Sequence, residues 1–134
     1  MSKALRSGIL AMAGLTACSA PETPAPGVPG APPPNVVCTT EARPAITVEP
    51  VDAATGQSIS QQATLIAMTG TYTDTASVQT TGVPTISAAH ERAGTYTVIV
   101  KHPEYRDWER SNIVVGRDAC HVQTIRLKAE MQKR

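Results

Sequence analysis

The chain has 134 residues, a formal net charge of +1, no Phe, one Trp and three Tyr. That length suits one small domain, and the near balance of charge argues against nucleic acid as a main partner, because phosphate binding leans on clustered cations. With so few aromatic rings a core has to be built mostly from Val, Ile, Leu and Ala, and the prolines, concentrated between Pro21 and Pro50, mark a change of composition ahead of it.

Lys3 and Arg6 precede an uncharged apolar run from Gly8 to Leu15. A basic start followed by a short apolar stretch is the pattern of an export signal. The stretch is too short to cross a bilayer as a stable helix, which takes about 20 residues. It ends Leu15-Thr16-Ala17-Cys18, which resembles the lipobox of bacterial lipoproteins. The resemblance implies cleavage ahead of Cys18, a diacylglycerol on its thiol and acylation of the new amine. Residues 1–17 are then the signal peptide, and what remains has ten basic against eleven acidic residues, a charge of −1 with histidines neutral. Stable anchoring needs more than one acyl chain, and the lipobox product carries them, so a membrane is the first expected partner. Ser19, not Asp, follows the cysteine. The resemblance implies a lipid-anchored protein of the bacterial cell envelope, and by the sorting habit of this family Ser19 favours the outer membrane where the host has one.

Residues 18–35 read as the lipidated cysteine and a tether. Ala20 to Asn35 is rich in Pro, Ala and Gly and nearly uncharged. It offers too little apolar surface to offset the entropy of ordering it. Its prolines favour extended polyproline II, so it could hold a domain up to about 50 Å from the lipid. The alternative is a proline-rich ligand for a partner domain.

From Val36 the chain turns rich in Val, Ile and Thr, in short runs separated by turn residues, which is an all-β pattern. Pro44 to Pro50 alternates, with Ile46 and Val48 on one face and Thr47 and Glu49 on the other. Asp52-Ala53-Ala54-Thr55-Gly56 is a turn. Ala63 to Met68 is apolar on both faces and reads as an interior strand. Tyr72 to Val78 is a further strand or strand pair, and Val83-Pro84-Thr85-Ile86 a weaker one, whose proline suggests a sheet edge. Glu91-Arg92-Ala93-Gly94 turns into the clearest strand, Thr95 to Lys101, in which Tyr96, Val98 and Val100 share a face. Ile113 to Val115 and Cys120 to Leu127 complete the set, the last with a break of period that hints at a bulge near Thr124. Lys128 to Arg134 is charged and expected to fray. The expected fold is an all-β, antiparallel sandwich of about seven strands over residues 36–128, with 129–134 as a charged tail.

Ile46-x-Val48, Asp52-x-x-Thr55-Gly56, Ala93-Gly94-Thr95-Tyr96-Thr97-Val98 and Pro103-x-Tyr105 together resemble a carboxypeptidase regulatory-like domain. The resemblance covers Pro44 to Leu127 and implies a transthyretin-like (prealbumin-like) sandwich with a binding or structural role. Glu104 stands where the family has Gly before the tyrosine, so that turn must differ in backbone conformation. A related transthyretin-like hydrolase of the urate pathway ends in Tyr-Arg-Gly-Ser. This chain ends Met131-Gln132-Lys133-Arg134, and its Tyr105-Arg106 is internal, so that activity is not carried over.

Once Cys18 is lipidated, Cys38 and Cys120 are left, and an even pair in an exported, oxidising compartment is expected to bridge. The bridge would clip the first strand to the last. By chain entropy, closing so long a loop is worth at most about 4 to 5 kcal/mol. A metal site of Cys38, Cys120 and His121 is the alternative, but structural zinc wants four ligands, with cysteines usually paired at short spacing.

No catalytic constellation is legible: no Gly-x-Ser-x-Gly, no His-Glu-x-x-His, no phosphate-cradling glycine loop. No cofactor is expected. The densest polar-aromatic cluster, His102 to Glu109, is a candidate binding loop carrying His102, Tyr105, Arg106 and Trp108, since Trp and Tyr beside Arg recur at interfaces. The bland reading is a hairpin tip with Trp108 over the sandwich edge, and a metal held by His102, Glu104 and Asp107 is a remoter one. Three functions fit: a non-catalytic surface module for a protein, peptide or carbohydrate ligand; a small hydrolase with a site built from loops; or an accessory subunit of a surface or export system.

Overall fold

In the structure, a computed structural model that describes residues 35–134, the short apolar runs become seven strands. These are β1 (Pro44–Asp52), β2 (Thr64–Thr69), β3 (Tyr72–Ser77), β4 (Ile86–His90), β5 (Gly94–His102), β6 (Tyr105–Val115) and β7 (Ile125–Met131). The signal segment, Cys18 and the tether as far as Pro34 lie outside the described residues. Among the described residues no helix is long and apolar enough to cross a membrane.

The strands form two sheets, ordered β4-β1-β7 and β3-β2-β5-β6. Alternation places Tyr96, Val98 and Val100 on one face of β5, beside Leu65 and Ala67 of β2. From the other sheet come Ile46 and Val48 of β1, beside Ala88 and Ile86 of β4. All nine are 2% exposed or less, and each fully buried Val, Leu or Ile contributes roughly 1.5 to 3 kcal/mol. Tyr96 is the largest of them, and its hydroxyl is satisfied by donating to the Arg92 carbonyl at 2.8 Å.

One pair departs from the expected antiparallel pattern: β1 and β7 run parallel, from Ile46 beside Ile125 to Asp52 beside Met131. Cys38 and Cys120 are disulfide-bonded with Cα atoms 5.3 Å apart. Each half-cystine lies just ahead of its strand, so both strands leave the bridge in the same direction.

Several boundaries differ from the sequence reading, the largest at β6, which begins at Tyr105 and not at Ile113. Val83 to Thr85 stay outside the sheets, and β4 begins at Ile86, though it is indeed a sheet edge. The last strand does not include Cys120 to Thr124. Val122 pairs instead with Arg117 across a tight loop, while Thr124 sends its hydroxyl to the Pro44 carbonyl at 2.6 Å. The charged end is not a frayed tail: β7 continues to Met131, with Ala129 and Met131 buried on the face that Ile125 and Leu127 begin. Alternation in Lys128-Ala129-Glu130-Met131 turns the charges outward and the apolar residues in.

Candidate functional site

The N-terminal segment, the β4–β5 turn and the β6–β7 loop meet at one end of the sandwich. The disulfide fixes the meeting, because residues 39 and 121 each follow a half-cystine directly. Asp118 shapes the loop from within. Its Oδ1 accepts the backbone N–H groups of Cys120 and His121, both at 2.8 Å, and these bonds hold its carboxyl below the usual range.

His121 is 7% exposed and has a partner on each ring nitrogen. Nδ1 lies 2.8 Å from Glu91 Oε1, and Nε2 lies 2.9 Å from the Thr39 hydroxyl. Glu91 is held in place in its turn. Its backbone has φ of 52°, its N–H donates to the Arg43 carbonyl at 2.8 Å, and its Oε1 accepts the Arg43 N–H at 2.8 Å. That backbone bond and the bond from His121 keep the carboxyl below its ordinary value, so Glu91 is an acceptor. With the imidazole neutral, the proton is therefore on Nδ1, and Nε2 accepts from Thr39. Glu91 Oε2 is buried without a hydrogen-bond partner. Arg117 reaches across the same end, donating to the carbonyls of Glu91 at 3.5 Å and Cys120 at 3.3 Å.

Of these residues the sequence reading singled out the cysteines, and His121 only as a metal ligand. Thr39 and Glu91 were missed. They lie 82 and 30 residues from His121, and no spacing links them. The signal available was indirect: a bridge between Cys38 and Cys120 has to set Thr39 near His121.

The expected binding loop lies at the opposite end and is not a loop. Pro103 and Glu104 alone make the turn, and Tyr105 to Glu109 are already β6. His102 and Tyr105 are 8% and 6% exposed, with rings edge to face at 4.8 Å between centroids. His102 Nδ1 accepts the Glu104 N–H at 3.1 Å. Trp108 is half-buried against the core, with the Arg110 guanidinium 5.6 Å above its ring. Arg106 is exposed. The four residues therefore do not share a surface: two serve the packing, one covers its edge and one faces solvent. Beside them is an open depression of about 390 Å³, lined by Lys101, His102, Asp107 and Arg134. There Asp107 pairs with Lys101 at 3.2 Å and Arg134 at 3.6 Å.

Neither set weighed for a metal forms a site. The thiols of Cys38 and Cys120 are joined to each other, and among the described residues no three His, Cys, Asp or Glu side chains are placed to hold an ion. Comparison with known proteins gives no matching family model, no matching curated protein and no matching solved structure.

Proposed function

We propose that the protein is a lipid-anchored module of the bacterial cell envelope, held by acyl chains on Cys18 and raised by the proline-rich tether. It presents a carboxypeptidase regulatory-like sandwich for binding or structural work, and the ligand, whether protein, peptide or carbohydrate, meets its outer surface. The observation that carries this reading is the Cys38–Cys120 bridge at the point where the tether meets the fold. A bridge of this kind persists in oxidising compartments, as export through the signal at residues 1–17 requires. The same bridge makes the junction rigid, so the tether ends at a fixed point.

Intact mass spectrometry of protein purified from membranes tests the reading. The expected product begins at Cys18 and carries a diacylglyceryl and an acyl group. The Cys18→Ala variant is expected to lose membrane attachment or stay uncut. A Cys18→Ala protein that is processed and still membrane-bound would end the anchor proposal.

A further inference from the structure

The hydroxyl of Thr39, the ring of His121 and the carboxylate of Glu91 form a continuous chain of two short hydrogen bonds. That order is a hydroxyl, a base within reach of its proton, and an anion that fixes the tautomer of the base. It is the arrangement by which hydroxyl nucleophiles are activated on unrelated folds. Two further facts distinguish it from a packing network. Thr39 is exposed while its base is buried, so the hydroxyl is the one member that a reagent can reach. The disulfide clamps both partners at adjacent positions, which fixes the geometry without a deep core around it.

We propose that Thr39 is an acyl-accepting nucleophile, with His121 as its general base and Glu91 as the positioning residue, and that it acts on short acyl esters offered at the open surface of this end. In the first step Thr39 Oγ1 bonds to the ester carbonyl carbon and its proton passes to His121 Nε2. The C–O bond to the alcohol then breaks, and the leaving oxygen takes that proton. In the second step water, deprotonated by His121, attacks the acyl-threonine. The carboxylic acid leaves, and Thr39 regains its proton from the imidazole. The setting is open, so the acyl group is recognised chiefly by its carbonyl, which is why the class is short acyl esters and not long chains.

The test uses the full chain with its bridge intact and a fluorophosphonate probe, whose phosphorus bonds to an activated hydroxyl with loss of fluoride. Hydrolysis of p-nitrophenyl acetate is followed in parallel. The expected result is a single adduct, mapped by peptide mass spectrometry to Thr39. It should be retained in Thr39→Ser, which keeps the bond to His121 and melts like the parent, and absent from Thr39→Val, which stays folded but melts somewhat lower because the buried His121 Nε2 loses its partner. His121→Gln is expected to slow both labelling and hydrolysis by about 100-fold or more, the usual weight of a general base. Reduction of the bridge should abolish the adduct while a control reagent still labels surface lysines. Absence of a Thr39 adduct in the parent, or hydrolysis by Thr39→Val at the parent rate, would overturn the proposal and leave the chain of bonds a clasp for the N-terminal segment.

Discussion

Tyr105 donates its phenolic hydrogen to Asp52 Oδ2 at 2.7 Å, tying the β5–β6 turn to the end of β1 across 53 residues of sequence. The other oxygen, Oδ1, accepts the N–H groups of Ala54 and Thr55 at 2.7 and 3.0 Å and so shapes the turn that Gly56 completes with φ of 73°. The phenol is the largest influence holding the Asp52 carboxyl below its ordinary value, and the same bond raises the tyrosine. Asp52-x-x-Thr55-Gly56 and Pro103-x-Tyr105, separate motifs in the sequence, are two halves of one contact. Tyr105→Phe and Asp52→Asn are each expected to lower the melting temperature, and the double variant to fall by less than their sum. Additive losses in that double-mutant cycle would mean the two residues act independently.

Loss of the bridge has a larger effect. Cys38→Ser or Cys120→Ser should cost about 2 to 5 kcal/mol, a large share of the roughly 5 to 15 kcal/mol by which such domains are stable. Denaturant melts of the parent with and without reductant give the comparison. Parent and variants that unfold together under oxidising conditions would contradict the expectation.

The end of the chain is part of the fold, and its removal should show it. The Arg106 N–H donates to the Gln132 carbonyl at 2.8 Å, the Arg134 N–H to Glu104 at 3.0 Å, and Arg134 Nε to Tyr105 at 2.8 Å. Met131 is 1% exposed. Met131→Ala is expected to cost about 2 to 5 kcal/mol, and termination after Lys128 to leave little folded protein. A truncated chain that melts like the parent would restore the picture of a dispensable tail.

Stability should decline with acid in two stages. Burial lowers the His102 pKa from its ordinary 6.5. The unfolded chain therefore takes up the proton first, and stability falls as pH drops through that value until folded His102 is protonated too. Glu91, Asp52 and Asp118 are shifted down from 4.5, 3.8 and 3.8. Their contribution is present above those values and is lost as pH falls through the lower, folded ones. Urea unfolding across the range reads both stages, and His102→Gln should flatten the upper one alone. A parent curve that is level between about pH 7 and pH 5 would exclude the His102 stage.

Gly94 approaches Thr69 so closely that a Cβ would lie 2.8 Å from its Oγ1, and its φ is 157°. Gly94→Ala should therefore lower stability by about 1 to 3 kcal/mol, read as a shift in the midpoint of a denaturant melt. An unchanged midpoint would mean that β2 and β5 can separate there at no cost.

The strands with strict alternation were legible: Thr95 to Lys101 is β5 and Ile46 to Val48 lies at the centre of β1. The segment after His102 was not, for a physical reason. Register shifts between Tyr96 and Val98, and between Val100 and His102, break the pairing of β5 with β6. Tyr105, Trp108 and Ile113 therefore follow no period of two, and the charged residues between them mark a sheet edge. The disulfide followed from the cysteine count and the exported compartment that the sequence led one to expect. The Thr39–His121–Glu91 chain did not, because it depends on where three separate segments arrive and on no local pattern.

The placement of the bridge also decides how the domain carries load. Traction on the chain ahead of Cys38, opposed by a grip on the final strand, passes from sulfur to sulfur into the segment leading to β7. The covalent path of the load thus skips residues 39–119. Load falls first on the short run from Cys120 and on β7, whose parallel pairing with β1 has to shear before the rest of the core is reached.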